Sequence, residues 1–344
     1  MSSLGQGFQG QLGQGVRKSY YSAVDAESGQ AVAVFFRKPD GSIIEAFWRR
    51  RQNDWGFWEV LPKSATPPPN ISIAATLWAN SHYRIYYFDE NMFLCELAFE
   101  SKTAPSSKQL DKKIRARENS GISAVCFRRD GKSNLRVYFI DPDGKLQETT
   151  IYDKGTPIDV SDLHPNTALQ FVTLTGWDNE ANEIRGYYQD TEFNIREIAY
   201  KERAWGKSTI VQPAKALVPF AVAVSGADGK SPKVCLYTVS EKTEIMEMTK
   251  EGCDLDAKWG NSTPLAPTTG AKSLSAIGNQ FVEEEADMHI LSSDDSGDNF
   301  VHNWKTNGAL ADKTEIINLD QPEAKVITYT GASIATVPIK PLQT

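Results

Sequence analysis

Much that would direct a protein toward metal, redox or nucleic-acid chemistry is scarce in this sequence. There are four cysteines, Cys95, Cys126, Cys235 and Cys253, with no CxxC pair. That leaves too little for a disulfide framework or a cysteine zinc site. Cys95, Cys126 and Cys235 sit in apolar, strand-like stretches, the setting of buried free thiols in a reducing compartment. The four histidines, His82, His164, His289 and His302, lie far apart without metal-ligand spacing. Neither a metal nor a cofactor is expected. No apolar run approaches the ~20 residues of a membrane span. A formal charge of −7 argues against a nucleic-acid surface, which needs a basic excess. The start, Met1-Ser2-Ser3-Leu4-Gly5-Gln6-Gly7, has neither the basic nor the apolar region of a secretory signal. The expectation is therefore a cytoplasmic protein.

What the sequence does have is a repeat. Asn134-Leu135-Arg136-Val137-Tyr138-Phe139-Ile140 reads as an apolar strand, Asp141-Pro142-Asp143-Gly144 as a turn, and Leu146-Gln147-Glu148 as a second strand. The arginine and the glutamate stand twelve positions apart. The same spacing joins Arg84 to Glu96 and Arg185 to Glu197. Weaker copies join Ala33 to Glu45, Cys235 to Glu247 and Ile290 to His302. The anchors Glu45, Glu96, Glu148, Glu197, Glu247 and His302 are 51, 52, 49, 50 and 55 residues apart. A period of roughly 50 marks a propeller or a solenoid.

Each repeat has four parts. A strand of small apolar residues such as Ile122-Ser123-Ala124-Val125-Cys126-Phe127 precedes the aromatic strand. The Ile-x-Glu strand follows, then a polar segment near a tryptophan such as Trp55, Trp205 or Trp259. Short strands at regular spacing predict an all-β protein. The aromatic strands are apolar at consecutive positions, which fits burial on both faces. Six repeats predict a six-bladed β-propeller of four-stranded antiparallel blades. Residues 1–16 read as a flexible arm and 17–344 as one propeller domain. The tail, Val326-Ile327-Thr328-Tyr329-Thr330 and 332–339, alternates like strand and is expected to close the ring by pairing with the first blade.

An arginine and a glutamate on the two arms of one hairpin are expected to face each other across the strands and to meet on one side of the blade. As a bare exposed ion pair this contributes only about 0.2–1 kcal/mol. Yet the pair persists while the turn between varies, and aromatics recur after the glutamate at Tyr152, Tyr200 and Trp205. A donor fork, a carboxylate acceptor and an aromatic wall match the hydroxyls and the C–H face of a sugar.

The succession Leu135-Arg136-Val137-Tyr138-Phe139 with Leu146-Gln147-Glu148, and Ile184-Arg185-Gly186-Tyr187-Tyr188-Gln189-Asp190 with Ile195-Arg196-Glu197, resembles the fungal fucose-specific lectins of the Aleuria type. The resemblance runs over roughly residues 19–320. It implies fucose pockets between adjacent blades, with arginine and glutamate from one blade and an aromatic wall from the next. The most complete pocket is Arg136 and Glu148 with Tyr200 and Trp205. Arg185 and Glu197 face the fifth repeat, where Lys250 takes the tyrosine position and Trp259 is nearby. Arg84 and Glu96 face Ile151 and Tyr152. The other junctions lack the arginine, at Ala33, Cys235 and Ile290, and His302 replaces a glutamate. The implied partners are fucose-containing glycans, and a homodimer would supply avidity.

Two other readings stay open. A sialidase-like glycosidase would share the six blades, and Ser293-x-Asp295-x-Gly297 before Phe300 resembles one Asp-box. Such clusters are commonly plain turns. Hydrolysis also needs two carboxyls flanking one bond, and each repeat offers a single inward glutamate. A protein-interaction propeller with degenerate sugar sites suits the missing arginines.

Overall fold

The run Leu135–Ile140 is built to be buried on both sides, and its surroundings show how. The computed structural model describes residues 21–26, 31–38, 40–49, 54–62, 72–77, 82–99, 106–110, 114–150, 156–160, 162–174, 183–225, 232–252, 257–267, 273–278, 288–293, 299–306, 309–310, 313–318, 325–330 and 333–338. The arm expected over residues 1–16 lies outside them. In the third repeat, Ile122–Arg129, Lys132–Ile140, Leu146–Thr150 and Thr156–Pro157 pair in that order as an antiparallel sheet. Successive side chains of a strand point to opposite faces. Val125, Phe127, Tyr138, Ile140 and Leu146 therefore pack on Leu169, Phe171, Ile184 and Ile198 of the fourth repeat. Ile122, Leu135, Val137 and Phe139 pack the other way, on Tyr86, Phe88 and Leu94 of the second.

The turn that joins the second and third strands is set by its polar residues. The Asp141 carboxylate accepts the Lys145 amide at 2.8 Å, and its carbonyl accepts the Gly144 amide at 3.0 Å. Gly144 has φ of 82°, a left-handed conformation that a side chain disfavours.

Six antiparallel sheets follow one another along the chain over 21–61, 73–109, 122–157, 170–212, 220–267 and 274–338. This is the expected all-β, six-bladed propeller. The innermost strands Tyr21–Ala26, Ile73–Leu77, Ile122–Arg129, Gln170–Thr173, Phe220–Ser225 and Leu274–Gly278 each lie against the next. The sixth lies against the first, which closes the ring.

Closure happens differently from the sequence expectation. The tail strands Lys325–Thr330 and Ser333–Pro338 extend the sixth blade beyond Lys313–Asn318, with Ile316 opposite Ile327 and Ile327 opposite Thr336. The first blade takes all four of its strands from residues 21–61. Alternation marked the tail as strand but carried no information on its partner. A short connection brings it first to the edge beside it in sequence.

Cys95, Cys126 and Cys235 are free and buried as expected, while Cys253 lies outside the described residues. Burial pushes the first two thiols up to about 12 and the third to about 11. Among the described residues no helix is long and apolar enough to cross a membrane. Among the described residues no three His, Cys, Asp or Glu gather to hold a metal ion.

Candidate functional site

The repeated arginine and glutamate are not directly opposite. Arg136 stands across from Thr150, and Glu148 across from Tyr138. The second and fourth blades share this register, with Tyr86 opposite Glu96 and Tyr187 opposite Glu197. The hairpin turns one residue later than the midpoint of the Arg–Glu pair, so the two are diagonal neighbours on one face. A long arginine spans that diagonal. Arg136 Nη1 donates to Glu148 Oε2 at 2.9 Å.

Between the third and fourth blades these groups form a cleft. Arg136 Nη2 donates to the Tyr200 hydroxyl at 3.1 Å, and the guanidinium lies over the Tyr200 ring at 4.2 Å. The side chains of Arg136 and Glu148 remain 12% and 14% exposed, open to a ligand at the cleft mouth. Tyr138 lies beneath them, fully buried. Burial first, and the Glu148 charge second, push its phenol well above the usual range. Its hydroxyl meets no hydrogen-bond partner. By contrast, the equivalent Tyr86 and Tyr187 donate to Glu96 and Glu197 at 2.7 and 3.0 Å. Burial raises the Tyr200 pKa, but hydrogen bonds from Arg136 and Arg129 outweigh it and bring the phenol below its usual value.

The cleft has an aromatic floor. Tyr138 stacks on Phe171 with centroids 3.6 Å apart and planes 4° apart. Trp205 stands edge-on to both, at 5.9 and 5.8 Å, and 5.3 Å from Tyr200. The glycine in Arg185-Gly186-Tyr187 makes this possible. A Cβ at Gly186 would come within 2.3 Å of the Phe171 ring. Gly186→Ala should therefore displace Phe171 and cost about 1–3 kcal/mol. A lowered melting temperature together with a changed near-ultraviolet circular dichroism signal would register this. An unchanged signal would mean that the stack tolerates the methyl group.

The next junction is plugged. Glu197 accepts Tyr187 at 3.0 Å, Lys250 at 3.1 Å and the Trp259 indole at 3.3 Å, and Arg185 is 3.8 Å away. Arg185 also meets Glu183 at 2.8 Å. The side chains of Arg185, Glu197 and Lys250 are each 2% exposed. Lys250 from the fifth blade fills the place that Tyr200 holds in the fourth. The residues expected at this site are thus brought together, but as a closed ionic cluster.

The remaining junctions differ again. Arg84, on the face of Tyr86 and Glu96, donates to the Tyr83 carbonyl at 3.2 Å, and Tyr152 lies outside the described residues. At the fifth junction Lys305 from the sixth blade reaches both Glu247 oxygens, at 2.8 and 3.0 Å, a cation supplied from across the cleft. In the sixth blade Leu291, not Ser292, stands opposite His302. One extra residue in the hairpin shifts the register, so the arginine position is His289 and not Ile290. Ile290 points to the fifth blade, among Cys235 and Tyr237. The two histidines stack with centroids 5.2 Å apart, their Nδ1 and Nε2 at 2.9 Å. Most of the Ser293–Gly297 motif lies outside the described residues.

Sequence reasoning missed Tyr138, Phe171 and Arg129 as parts of the cleft. For Tyr138 and Arg129 strand alternation was the available signal, since Val125, Phe127 and Arg129 share a face with Arg136 and Tyr138.

A six-bladed propeller that sets an arginine–glutamate pair against aromatics of the next blade belongs to a recognisable class. Residues 17–166 match the family described as fungal fucose-specific lectin. A curated relative, fucose-specific lectin g276 of Arthrobotrys oligospora, is 24% identical over 221 residues, 59% of this chain and 55% of that protein. The matched part thus spans little more than half of that relative. Among solved structures, AofleA from Arthrobotrys oligospora has a TM-score of 0.72 at 22% identity, covering 95% of this chain and 90% of that one. The Aleuria aurantia lectin, described as a six-bladed β-propeller with a novel fucose recognition mode, has a TM-score of 0.66 at 18% identity, covering 88% and 96%. Over residues 17–166 the chain is thus similar to the fungal fucose-specific lectins, and over nearly its whole length it shares their six-bladed fold.

Proposed function

We propose that the protein is a non-catalytic lectin for fucose-containing glycans, with the cleft between the third and fourth blades as its principal site. The observation that carries this reading is the half-open convergence of Arg136, Glu148, Tyr200 and Trp205 above the unpartnered Tyr138 hydroxyl. Adjacent sugar hydroxyls need donors and acceptors side by side. The guanidinium supplies the donors and the carboxylate the acceptor. A methyl substituent or the C–H face of the ring packs on the aromatic wall.

The relatives named as fucose-specific lectins support fucose as the sugar. The junction at Arg185 and Glu197 does not join in, because its carboxylate is already spent on Lys250, Tyr187 and Trp259. One small hydrated ligand in one cleft is held weakly. Strong retention on a glycan-coated surface then needs association of copies, for which a homodimer is enough.

Titration calorimetry with α-methyl fucoside tests the proposal. The expected result is saturable binding that α-methyl glucoside does not reproduce. Equal binding of both sugars, or of neither, would sink the fucose reading.

A further inference from the structure

One charged side chain at the cleft is left over by this account. Arg129 ends the innermost strand of the third blade. The turn after it uses Asp130 and Gly131, with φ of 51° and 70°, and reverses the chain at once, so that Arg129 pairs with Lys132. Alternation from Val125 and Phe127 puts Arg129 on the Arg136 face. Its Nη1 donates to the Tyr200 hydroxyl at 3.4 Å, and its guanidinium lies 6.0 Å from the Tyr200 ring centre. Two guanidiniums therefore converge on one phenol oxygen.

Only one of them is neutralised. Glu148 answers Arg136. Among the described residues Arg129 has no carboxylate partner, and the adjacent Asp130 is engaged by Arg203 of the fourth blade at 3.8 Å. The lip of the cleft thus carries an uncompensated positive charge in a chain whose formal charge is −7. Neutral hydroxyls do not require it. A guanidinium fork with spare donors matches a sulfate or a carboxylate.

We propose that Arg129 sets specificity, giving this cleft a preference for fucosylated glycans that bear an anionic group on the sugar next to fucose. The inference rests on the fucose reading above. A fucose ring gripped by Arg136 places its neighbour at the lip, where Arg129 meets a sulfate or a sialic acid carboxylate.

The test compares α-methyl fucoside, a neutral fucosylated trisaccharide, and the same trisaccharide carrying either sulfate or sialic acid, by calorimetry. Wild type is expected to bind an acidic form about three- to tenfold more tightly than the neutral one at low salt. The gain should shrink as salt is raised. Arg129→Gln should bring the ratio to about one, and Arg129→Lys should keep part of it because the charge remains. A gain with sulfate alone or with sialic acid alone supports the proposal and identifies the anion. No gain in wild type, or the same gain in Arg129→Gln, overturns it while the fucose reading stands. Failure of α-methyl fucoside to bind overturns both.

Discussion

Arg136→Ala should abolish retention on immobilised fucose while barely moving the melting temperature. The guanidinium makes two charge-assisted contacts, to Glu148 and to Tyr200. Hydrogen bonds to a charged group contribute about 1.5–3 kcal/mol each. A sugar that takes two such bonds from the guanidinium loses them in the variant, which weakens binding by at least about a hundredfold, taking each tenfold as about 1.4 kcal/mol. The pair is partly exposed, so Glu148 can recover its hydration and the fold loses no more than about 1 kcal/mol. Calorimetry and a thermal melt on the same preparation separate the two effects. Unchanged retention by a folded variant would remove this cleft as the sugar site. A variant that melts far lower would instead make Arg136 structural.

Glu197→Ala should have the opposite profile. Here the carboxylate is all but sealed from solvent between Arg185 and Lys250. Glu183 remains for Arg185, at 2.8 Å. Removing Glu197 strips Lys250 of the carboxylate it meets at 3.1 Å. It also leaves the Tyr187 hydroxyl and the Trp259 indole without their acceptor. Breaking a buried pair by taking one partner costs about 3–5 kcal/mol, a large share of the ~5–15 kcal/mol that holds a domain folded. The loss should appear as a lower midpoint in urea with an unchanged slope. Lys250→Met should be milder, since Glu197 keeps Arg185, Tyr187 and Trp259. A Glu197→Ala protein as stable as wild type would mean that water reaches this cluster and that the junction is an open pocket after all.

The contrast between these junctions shows how far residue types alone could lead. The repeat and the hairpins followed from spacing and strand alternation, and the placing of Arg136 against Tyr200 and Trp205 from the family resemblance. Replacement of the aromatic by Lys250 was visible too. What the sequence could not convey was that a lysine pointing at a carboxylate already served by arginine seals the cleft. Spacing likewise misled by one residue in the sixth blade, where the longer hairpin moves the arginine position to His289. Phe171 stands directly opposite Gly186 in one hairpin, but it is distant in sequence from Tyr138, on which it stacks. Its role depends on a contact between blades that no local pattern encodes.

The way the ring closes has a consequence for how the protein is made. Each blade is cut from one uninterrupted stretch of chain, and the first blade waits for nothing from the tail. A ribosome can therefore finish one sheet before the next has been translated, and each new sheet finds its neighbour's apolar face already formed. Only the last seam, between the sixth and first innermost strands, joins segments from far apart in the chain. That docking is expected to be the slow step of assembly, since distant contacts bear the full entropy of loop closure.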